Sequence, residues 1–254
     1  MLRLVLISLF IGLCFFCCKE KSSIKSSENL NDSSTTCSLG EVCDVNPLDG
    51  YWISERYKKG LTDNLSPFLC SKKIGDVSEV WINEKSAHVV YGNAEGDSYE
   101  YVKSKEEESF EIELSNQMKI TYQGDNRALI TGNKIDEYLS KCEEPFEGRS
   151  ALEQFVISHL FVGSYESLEG NVSLNEDGTL MGLANYLSYK VFTSFEELSD
   201  FDLIELRDLN GKADYKAWEI QGDILILFNI VPGDSYVFAK GKEWKRLKLK
   251  EAIS

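Results

Sequence analysis

Hydrophobic and polar residues alternate along much of the chain beyond residue 48. In residues 110–114 and 118–122 every second position is apolar, which is the pattern of a β-strand with one face in water. Turn-forming residues at 124–126 follow, and a further strand is expected at residues 128–131. Strands that succeed one another with short turns indicate an antiparallel meander.

The same pattern continues in the second half of the chain. The Asp177-Gly178 pair between two apolar segments is a strong signal for a β-hairpin. Residues 224–228 are apolar throughout, which indicates a strand covered on both faces. Further strands are expected at residues 201–206, 215–220 and 244–249. The pattern therefore predicts a mainly β protein with two antiparallel β-meander domains, each a barrel or a sandwich.

One or two short helices are expected beside the strands. Ser150 and Glu153 have the spacing of a capping box, in which each side chain satisfies a free amide of the first turn. Apolar side chains and His159 then share one face of this helix, so we expect the histidine to be packed rather than catalytic. A second short helix is expected to start at Ser194, which has Glu197 three residues later.

The chain divides into four segments. Residues 1–17 are expected to be a signal peptide, 18–47 a flexible tether, 48–142 a first β domain and 150–254 a second. The boundary between the two β domains is predicted from the acidic stretch at 142–150, which contains Pro145 and Gly148. Few contacts are expected to cross such a boundary, so residues 150–254 are predicted to fold alone.

A short motif occurs once in each half. Leu48-x-Gly50-x-Trp52 and Phe161-x-Gly163-x-Tyr165 have the same form, and each precedes a run of strands. The motif resembles the Gly-x-Trp opening of lipocalin-like barrels, in which the aromatic residue plugs the closed end. This resemblance implies two small lipocalin-like barrels, and a two-layer sandwich is the structural alternative.

The N-terminus has the features of an export signal. Arg3 precedes the weakly polar or apolar residues 4–16, and Lys19 is the next charged residue. A helix that crosses a bilayer needs about 20 apolar residues, so this segment is short for a permanent span. A cleaved signal peptide is the main interpretation, and an uncleaved N-terminal anchor is the alternative.

The end of the signal resembles the start of bacterial lipoproteins, in which a cysteine that ends the apolar segment is acylated. Cys18 fits this role best, and Cys14 and Cys17 are the competing candidates. The resemblance implies a protein held outside the cytoplasm, at a membrane of the bacterial cell envelope, by its lipid. Residues 19–36 are rich in serine and threonine, which is typical of a disordered linker.

Charge and cysteine usage limit the partners and the chemistry. The chain carries a formal net charge of −15, which repels phosphate groups, so nucleic acid is not an expected partner. Four cysteines remain beyond Cys18, and their even number in an exported chain indicates disulfides. We expect Cys37 to pair with Cys43 and Cys70 with Cys142, although three pairings are possible.

No catalytic, metal or cofactor site can be assigned from the sequence. The chain has no Gly-x-Ser-x-Gly elbow, no phosphate-binding glycine loop and no His-Glu-x-x-His motif. Tyr186, Tyr189, Trp218 and Trp244 are the candidate ligand-binding residues, because aromatic side chains with polar tips can line an apolar pocket. A tethered binding module for an unknown protein or a small apolar ligand is therefore expected. An inhibitor or envelope-structural lipoprotein is the alternative, and a hydrolase comes third.

We expect the substitution Cys18→Ala to abolish incorporation of a fatty-acid analogue and to release the protein from membranes, because acyl chains are the expected anchor. Metabolic labelling and membrane fractionation measure the two effects. Cys37→Ala is the matched control and should leave labelling unchanged. Labelling that persists in the Cys18→Ala protein would contradict the assignment.

Overall fold

The computed structural model describes residues 46–73, 77–92, 96–103, 110–193, 200–233 and 238–250. The expected signal peptide at 1–17, Cys18, Cys37, Cys43 and most of the tether lie outside the described residues, as does the helix expected at Ser194. Within the described part of the chain, no helix has the length and hydrophobicity needed to cross a bilayer.

The first half forms a closed barrel of antiparallel strands. Its strands are β1 (Gly50–Ser54), β2 (Glu79–Ile82), β3 (Ser86–Val90), β4 (Gly96–Lys103), β5 (Glu111–Leu114), β6 (Lys119–Gly124), β7 (Arg127–Gly132) and β8 (Ile135–Cys142). Consecutive strands pair with each other. Tyr51 of β1 lies opposite Cys142 of β8, and this pairing closes the barrel.

Side chains from alternate positions fill the interior of this barrel. In β8 the residues Ile135, Glu137 and Leu139 are buried, and the two residues between them are exposed. Glu137 is the polar exception among them, and its carboxylate accepts a hydrogen bond of 2.7 Å from the Ser54 hydroxyl. The Arg56 guanidinium lies 3.4 Å from the same carboxylate, so the buried charge is paired.

Two short helices connect β1 to β2, and the alternating pattern had not predicted them. α1 (Glu55–Asn64) begins after Ser54, whose hydroxyl accepts a hydrogen bond from the Tyr57 amide at 3.0 Å. Leu65 ends α1 in the left-handed conformation, and Pro67 begins α2 (Pro67–Lys73). α1 has as many residues as α3 but buries only Tyr57 and Leu61, so few apolar positions mark its face. α2, with 7 residues, is too short for a helical period to stand out.

The second half forms another antiparallel sheet of eight strands. Its strands are β9 (Gly163–Ser167), β10 (Gly170–Leu174), β11 (Leu180–Met181), β12 (Tyr186–Val191), β13 (Leu203–Asp208), β14 (Ala213–Gln221), β15 (Ile224–Pro232) and β16 (Phe238–Leu249). Their order is β11-β10-β9-β16-β15-β14-β13-β12. A single bridge between Thr179 and Ser188 links the two ends of this order, so the sheet is barrel-like. The predicted class, mainly β with two antiparallel meanders, is confirmed.

A third helix, α3 (Ala151–Leu160), leads into the second sheet and starts where the sequence predicted. The Ser150 hydroxyl accepts a hydrogen bond of 3.1 Å from the Glu153 amide, as expected for a cap. The Glu153 carboxylate does not complete a capping box, because it lies between Arg149 (3.9 Å) and Lys190 (3.8 Å). The structure therefore confirms one of the two predicted capping interactions.

One hydrophobic core joins the two halves. Ile53 of β1 and Tyr57 and Leu61 of α1 belong to the same buried cluster as Val156 of α3 and Trp218 of β14. The described residues beyond the tether accordingly form one compact unit. The folding of residues 150–254 on their own stays a prediction, and isolating that fragment would expose the part of this core that faces the first half.

The repeated sequence motif makes the same hydrogen bond in both halves. The Trp52 indole Nε1 donates to the Leu48 carbonyl at 2.7 Å, and the Tyr165 hydroxyl donates to the Phe161 carbonyl at 2.8 Å. Both aromatic side chains are buried. In each motif the aromatic residue thus ties the first strand of its sheet to the residue four positions earlier, and the polar tip of a buried ring is satisfied.

Two carboxylates hold the halves together by capping helices across the boundary. Glu79 of β2 accepts a hydrogen bond of 2.8 Å from the Leu152 amide in the first turn of α3. Asp202, just before β13, accepts one of 2.8 Å from the Phe68 amide in the first turn of α2. Each half therefore provides the acceptor that the first turn of a helix in the other half requires.

Burial raises the pKa of both carboxyl groups. For Glu79, loss of solvent outweighs hydrogen bonds from Leu152, Ser150 and Ala151, and its pKa lies above the usual value. For Asp202 the same cause raises the pKa from 3.8 to about 6. Ionising either group therefore costs more free energy in the folded protein than in the unfolded chain.

We expect Glu79→Ala to lower the free energy of unfolding by about 1–3 kcal/mol, because it leaves the Leu152 amide without its acceptor. Glu79→Gln should cost less, since its side-chain oxygen can still accept that bond. Denaturant unfolding of the full chain measures both. Glu113→Ala, on an exposed strand position, is the matched control. Equal stability of Glu79→Ala and the control would contradict the cap.

A second prediction concerns pH. The Asp202 carboxyl has a pKa of about 6 in the folded protein against 3.8 for the ordinary group, so the native state binds the extra proton between these values. The contribution of this group to stability is therefore fully present below about pH 4 and is lost as pH rises through about 6. In Asp202→Asn this loss should disappear.

The measurement is the free energy of unfolding of the Asp202→Asn protein minus that of the wild type, at pH 4 and pH 7. This difference should rise by about 2–3 kcal/mol between the two pH values. Asp136→Asn, at an exposed position of β8, should give a flat difference. A flat difference for Asp202→Asn as well would contradict the raised pKa.

Candidate functional site

A cavity of about 290 Å³ lies between the connection of α1 to α2 and the second sheet. Leu65, Phe68 and Leu69 line it on the helical side. Asp202, Trp218 and Ile220 line it on the side of the sheet. The cavity therefore depends on both halves of the chain, and residues more than a hundred positions apart in sequence meet in it.

Local structure explains why the sheet is open at this place. β13 starts at Leu203, whereas its neighbour β14 extends as far as Gln221. The Trp218 amide donates to the Asp202 carbonyl at 3.0 Å. The pairing of β14 with β13 ends next to this bond, at Ala217 and Leu203. The connection of α1 to α2 covers the end of the paired region, because Asp202 fixes the first turn of α2.

Asp202 dominates the electrostatics of this cavity. Its side chain is 5% exposed, and burial is the main cause of its raised pKa. Hydrogen bonds from the Ser66 side chain and the Phe68 amide oppose that effect, and the negative charge of Glu219 adds to it. At a pH near 6 this carboxyl changes between its neutral and charged forms, which few aspartates do.

Trp218 lies beneath the cavity in the shared core. Its ring packs edge-on against Phe161, with ring centroids 4.8 Å apart. The indole Nε1 is buried and has no hydrogen-bond partner among the described residues. A buried donor without an acceptor is costly, and such groups concentrate where a structure serves a purpose other than stability.

The four aromatic residues that the sequence singled out form two pairs. Trp218 and Tyr189 both contact Phe161, and Tyr189 lies 6.0 Å from it between ring centroids. Tyr186 and Trp244 contact each other edge-to-face at 5.9 Å. Of the four, Trp218 lines the cavity described above.

The Tyr186–Trp244 pair surrounds a satisfied ion pair. The Tyr186 hydroxyl donates to Asp214 at 2.5 Å, and the Lys216 ammonium lies 2.8 Å from the same carboxylate. Lys216 also lies over the Trp244 ring, 5.0 Å from its centroid. Burial would raise the pKa of Asp214, but the bonds from Lys216 and Tyr186 outweigh it and the pKa is lowered. These groups satisfy one another, so we do not place the candidate site here.

The expected disulfide between Cys70 and Cys142 is not seen in the structure. Cys70 is buried in the shared core, and Cys142 is a half-buried thiol at the end of β8. Loss of solvent raises the pKa of Cys142 to about 11, so little of it is the reactive thiolate near neutral pH. Cys37 and Cys43 lie outside the described residues, so their predicted pairing stays a prediction.

Cys142 lines a second cavity, of about 310 Å³, beside α3. Phe155 lines it too and stacks on His159, with centroids 5.5 Å apart. The His159 ring is thus packed on one face and lies within hydrogen-bond distance of Thr62, with 3.3 Å between its Nε2 and the hydroxyl, but the residue is exposed and not buried in the core. No buried polar residue lines this cavity, so we favour the first as the candidate site.

Sequence reasoning missed Asp202 and Phe68, which build the candidate site. Asp202 lies within a segment predicted as a strand, and no residue pattern links it to an amide 134 positions earlier. Only Pro67, after a serine that could end one helix and begin another, gave a signal for α2.

The described residues contain no group of three or more metal-binding side chains. We compared the chain with protein-family models, with curated proteins and with solved structures, and none of the three comparisons found a match. The candidate site is therefore interpreted from its own residues.

Proposed function

We propose that this protein is a lipid-anchored, extracytoplasmic binding module that takes a small ligand in the cavity between α2 and the second sheet. The observation that carries the proposal is the cavity of about 290 Å³ whose walls come from both halves. Pockets between packed units are common sites for small molecules. The export signal and the cysteine at its end support the location.

The residues that line the cavity indicate which class of ligand it can bind. Leu65, Leu69 and Ile220 offer apolar surface, whereas Asp202 offers a carboxyl group. The sequence alone favoured a purely apolar ligand, and the cavity favours one with both an apolar part and a polar group. The few oriented polar groups of such a pocket select the ligand, and its apolar walls provide most of the affinity.

The barrels themselves support a lipocalin-like architecture for the module. Each begins with a motif whose buried aromatic residue bonds back to the preceding turn. The interior of the first barrel is filled by large side chains such as Trp52, Met118 and Ile120. We therefore assign the ligand site to the junction of the two halves rather than to the inside of the first barrel.

An inhibitor or envelope-structural role is the second candidate. Tyr51 and Trp81 stack on the outer surface of the first barrel, with ring centroids 5.9 Å apart, and Trp81 is 43% exposed. Large exposed aromatic residues are enriched where proteins bind each other. A protein partner would use this surface, and a small ligand would use the cavity.

We expect the full chain, purified in detergent from the bacterial envelope, to carry a small molecule that native mass spectrometry detects. Leu69→Trp should abolish this additional mass, because Leu69 is half-exposed at the cavity and the larger ring fills the space. Leu168→Trp, at a fully exposed turn, is the matched control and should retain it. Bare wild-type protein, or equal retention by both variants, would contradict the cavity as the site.

A further inference from the structure

The outside of the first barrel carries aromatic and acidic side chains next to each other. Tyr51 of β1 lies opposite Trp81 of β2 on one side and opposite Cys142 of β8 on the other. Glu143 and Glu144 directly follow Cys142 at the end of β8, and both are exposed. We call the set of Tyr51, Trp81, Glu143 and Glu144 the aromatic–acidic surface.

The aromatic part of this surface is open to a partner. The rings of Tyr51 and Trp81 are nearly parallel, with 9° between their planes, and Trp81 is 43% exposed. No ammonium or guanidinium group of the described residues lies over the Trp81 ring. Tryptophan is the aromatic side chain that attracts a cation most strongly, so this ring offers a binding face for a positive group.

The acidic part carries charge that no described neighbour neutralises. Glu143 and Glu144 form no ion pair with a basic side chain of the described residues. Burial and the negative charge of Glu144 raise the pKa of the Tyr51 hydroxyl, so this carboxylate acts on the aromatic part of the surface. A positive group bound here would therefore interact with both parts.

Two basic residues lie beside the surface, and aromatic rings already hold both. Phe146 and Phe155 line the cavity of about 310 Å³ together with the two glutamates. The Arg149 guanidinium lies 5.8 Å from the centroid of the Phe146 ring, and the Lys58 ammonium lies 5.1 Å from that of Phe155. These contacts leave Trp81 and the glutamates to a partner.

The same barrel shows how an exposed ring and a carboxylate bind one cation together. The Arg127 guanidinium lies 4.0 Å from the centroid of the Tyr138 ring. Its Nε and Nη2 atoms donate to the two carboxylate oxygens of Glu55 at 2.7 and 2.8 Å. A planar guanidinium can thus stack on a ring and bind a carboxylate at the same time. The aromatic–acidic surface has the ring and the carboxylates, and among the described residues it lacks the guanidinium.

We propose that the aromatic–acidic surface binds a basic segment of a partner protein, in which arginine side chains stack on Trp81 and pair with Glu143 and Glu144. Charge complementarity decides the chemistry of the partner, because two carboxylates without counter-ions attract a cationic segment and repel an anionic one. The inference goes beyond the proposed function, since none of these residues lines the cavity assigned to the small ligand.

The test compares two peptides of the same shape. One is a heptapeptide in which arginine alternates with glycine, and the other carries citrulline, the neutral isostere of arginine, in place of each arginine. Isothermal titration calorimetry on the full chain in detergent measures both affinities at low ionic strength, where exposed charges are least screened. The arginine peptide should bind at least about tenfold more tightly, because citrulline loses both the ion pairs and the attraction to the ring.

A pair of double variants separates a local site from a general attraction to the net charge of −15. Glu143→Gln with Glu144→Gln should weaken binding of the arginine peptide about fivefold, as expected for the loss of exposed ion pairs. Glu113→Gln with Asp136→Asn, at exposed positions of β5 and β8, changes the net charge equally and should leave the affinity unchanged.

A second pair of variants tests the ring. Trp81→Ala should lower the affinity for the arginine peptide about fivefold, because the stacking face is lost. Tyr138→Ala is the matched control, since this ring is exposed to the same degree, at 42%, and Arg127 already covers it. The control should bind the peptide like the wild type.

The outcomes decide the inference without reference to the small ligand. Absence of binding by the arginine peptide, or equal binding of the citrulline peptide, would overturn the cationic partner. Equal weakening by the two double variants would overturn the local site and indicate a general attraction between opposite charges. Unchanged affinity in Trp81→Ala would overturn the contact with the ring.

Discussion

The structure depends on two carboxylates that cap helices across the boundary between its halves. Glu79 of the first barrel satisfies the first turn of α3, and Asp202 of the second sheet satisfies the first turn of α2. A short helix leaves several amides without partners, and buried amides without partners are costly. Each helix also has a serine cap of its own, Ser150 for α3 and Ser66 for α2, and the carboxylate accepts from a further amide of the first turn. These bonds join the two halves beside their shared core.

The insertion of α1 and α2 after the first strand has a functional consequence. The first barrel closes around its own buried side chains, among them Trp52, Met118 and Ile120. The inserted helices turn away from that interior, since Tyr57 and Leu61 pack into the core of the second sheet. They also bring Phe68 to the place where β13 has not yet begun. The cavity thus arises from the mismatch between a helical insertion and the uneven end of a sheet.

The sequence predicted those features that local patterns determine. Alternation predicted strands such as β5, the Asp177-Gly178 pair predicted a turn, and Ser150 predicted the start of α3. It did not predict α1, which buries only Tyr57 and Leu61, or α2, which has only 7 residues. The sequence could not predict the cavity either, because Phe68 and Asp202 are far apart along the chain and only the fold brings them together. The predicted disulfide between Cys70 and Cys142 failed for a similar reason, since an even number of cysteines does not indicate which of them lie close together.

The choice of side chain at position 202 connects stability with function. Asparagine could accept the hydrogen bond from the Phe68 amide without a buried charge, whereas aspartate pays for its ionisation above a pH of about 6. A cap alone therefore does not require a carboxylate here. A carboxylate is useful here only if its negative charge acts on something nearby. The open space that we describe beside Asp202 is the cavity. A charge that reduces stability and that the fold does not need is expected at a functional site, and the charge of Asp202 meets that description, whereas its hydrogen bond to α2 stabilises the fold.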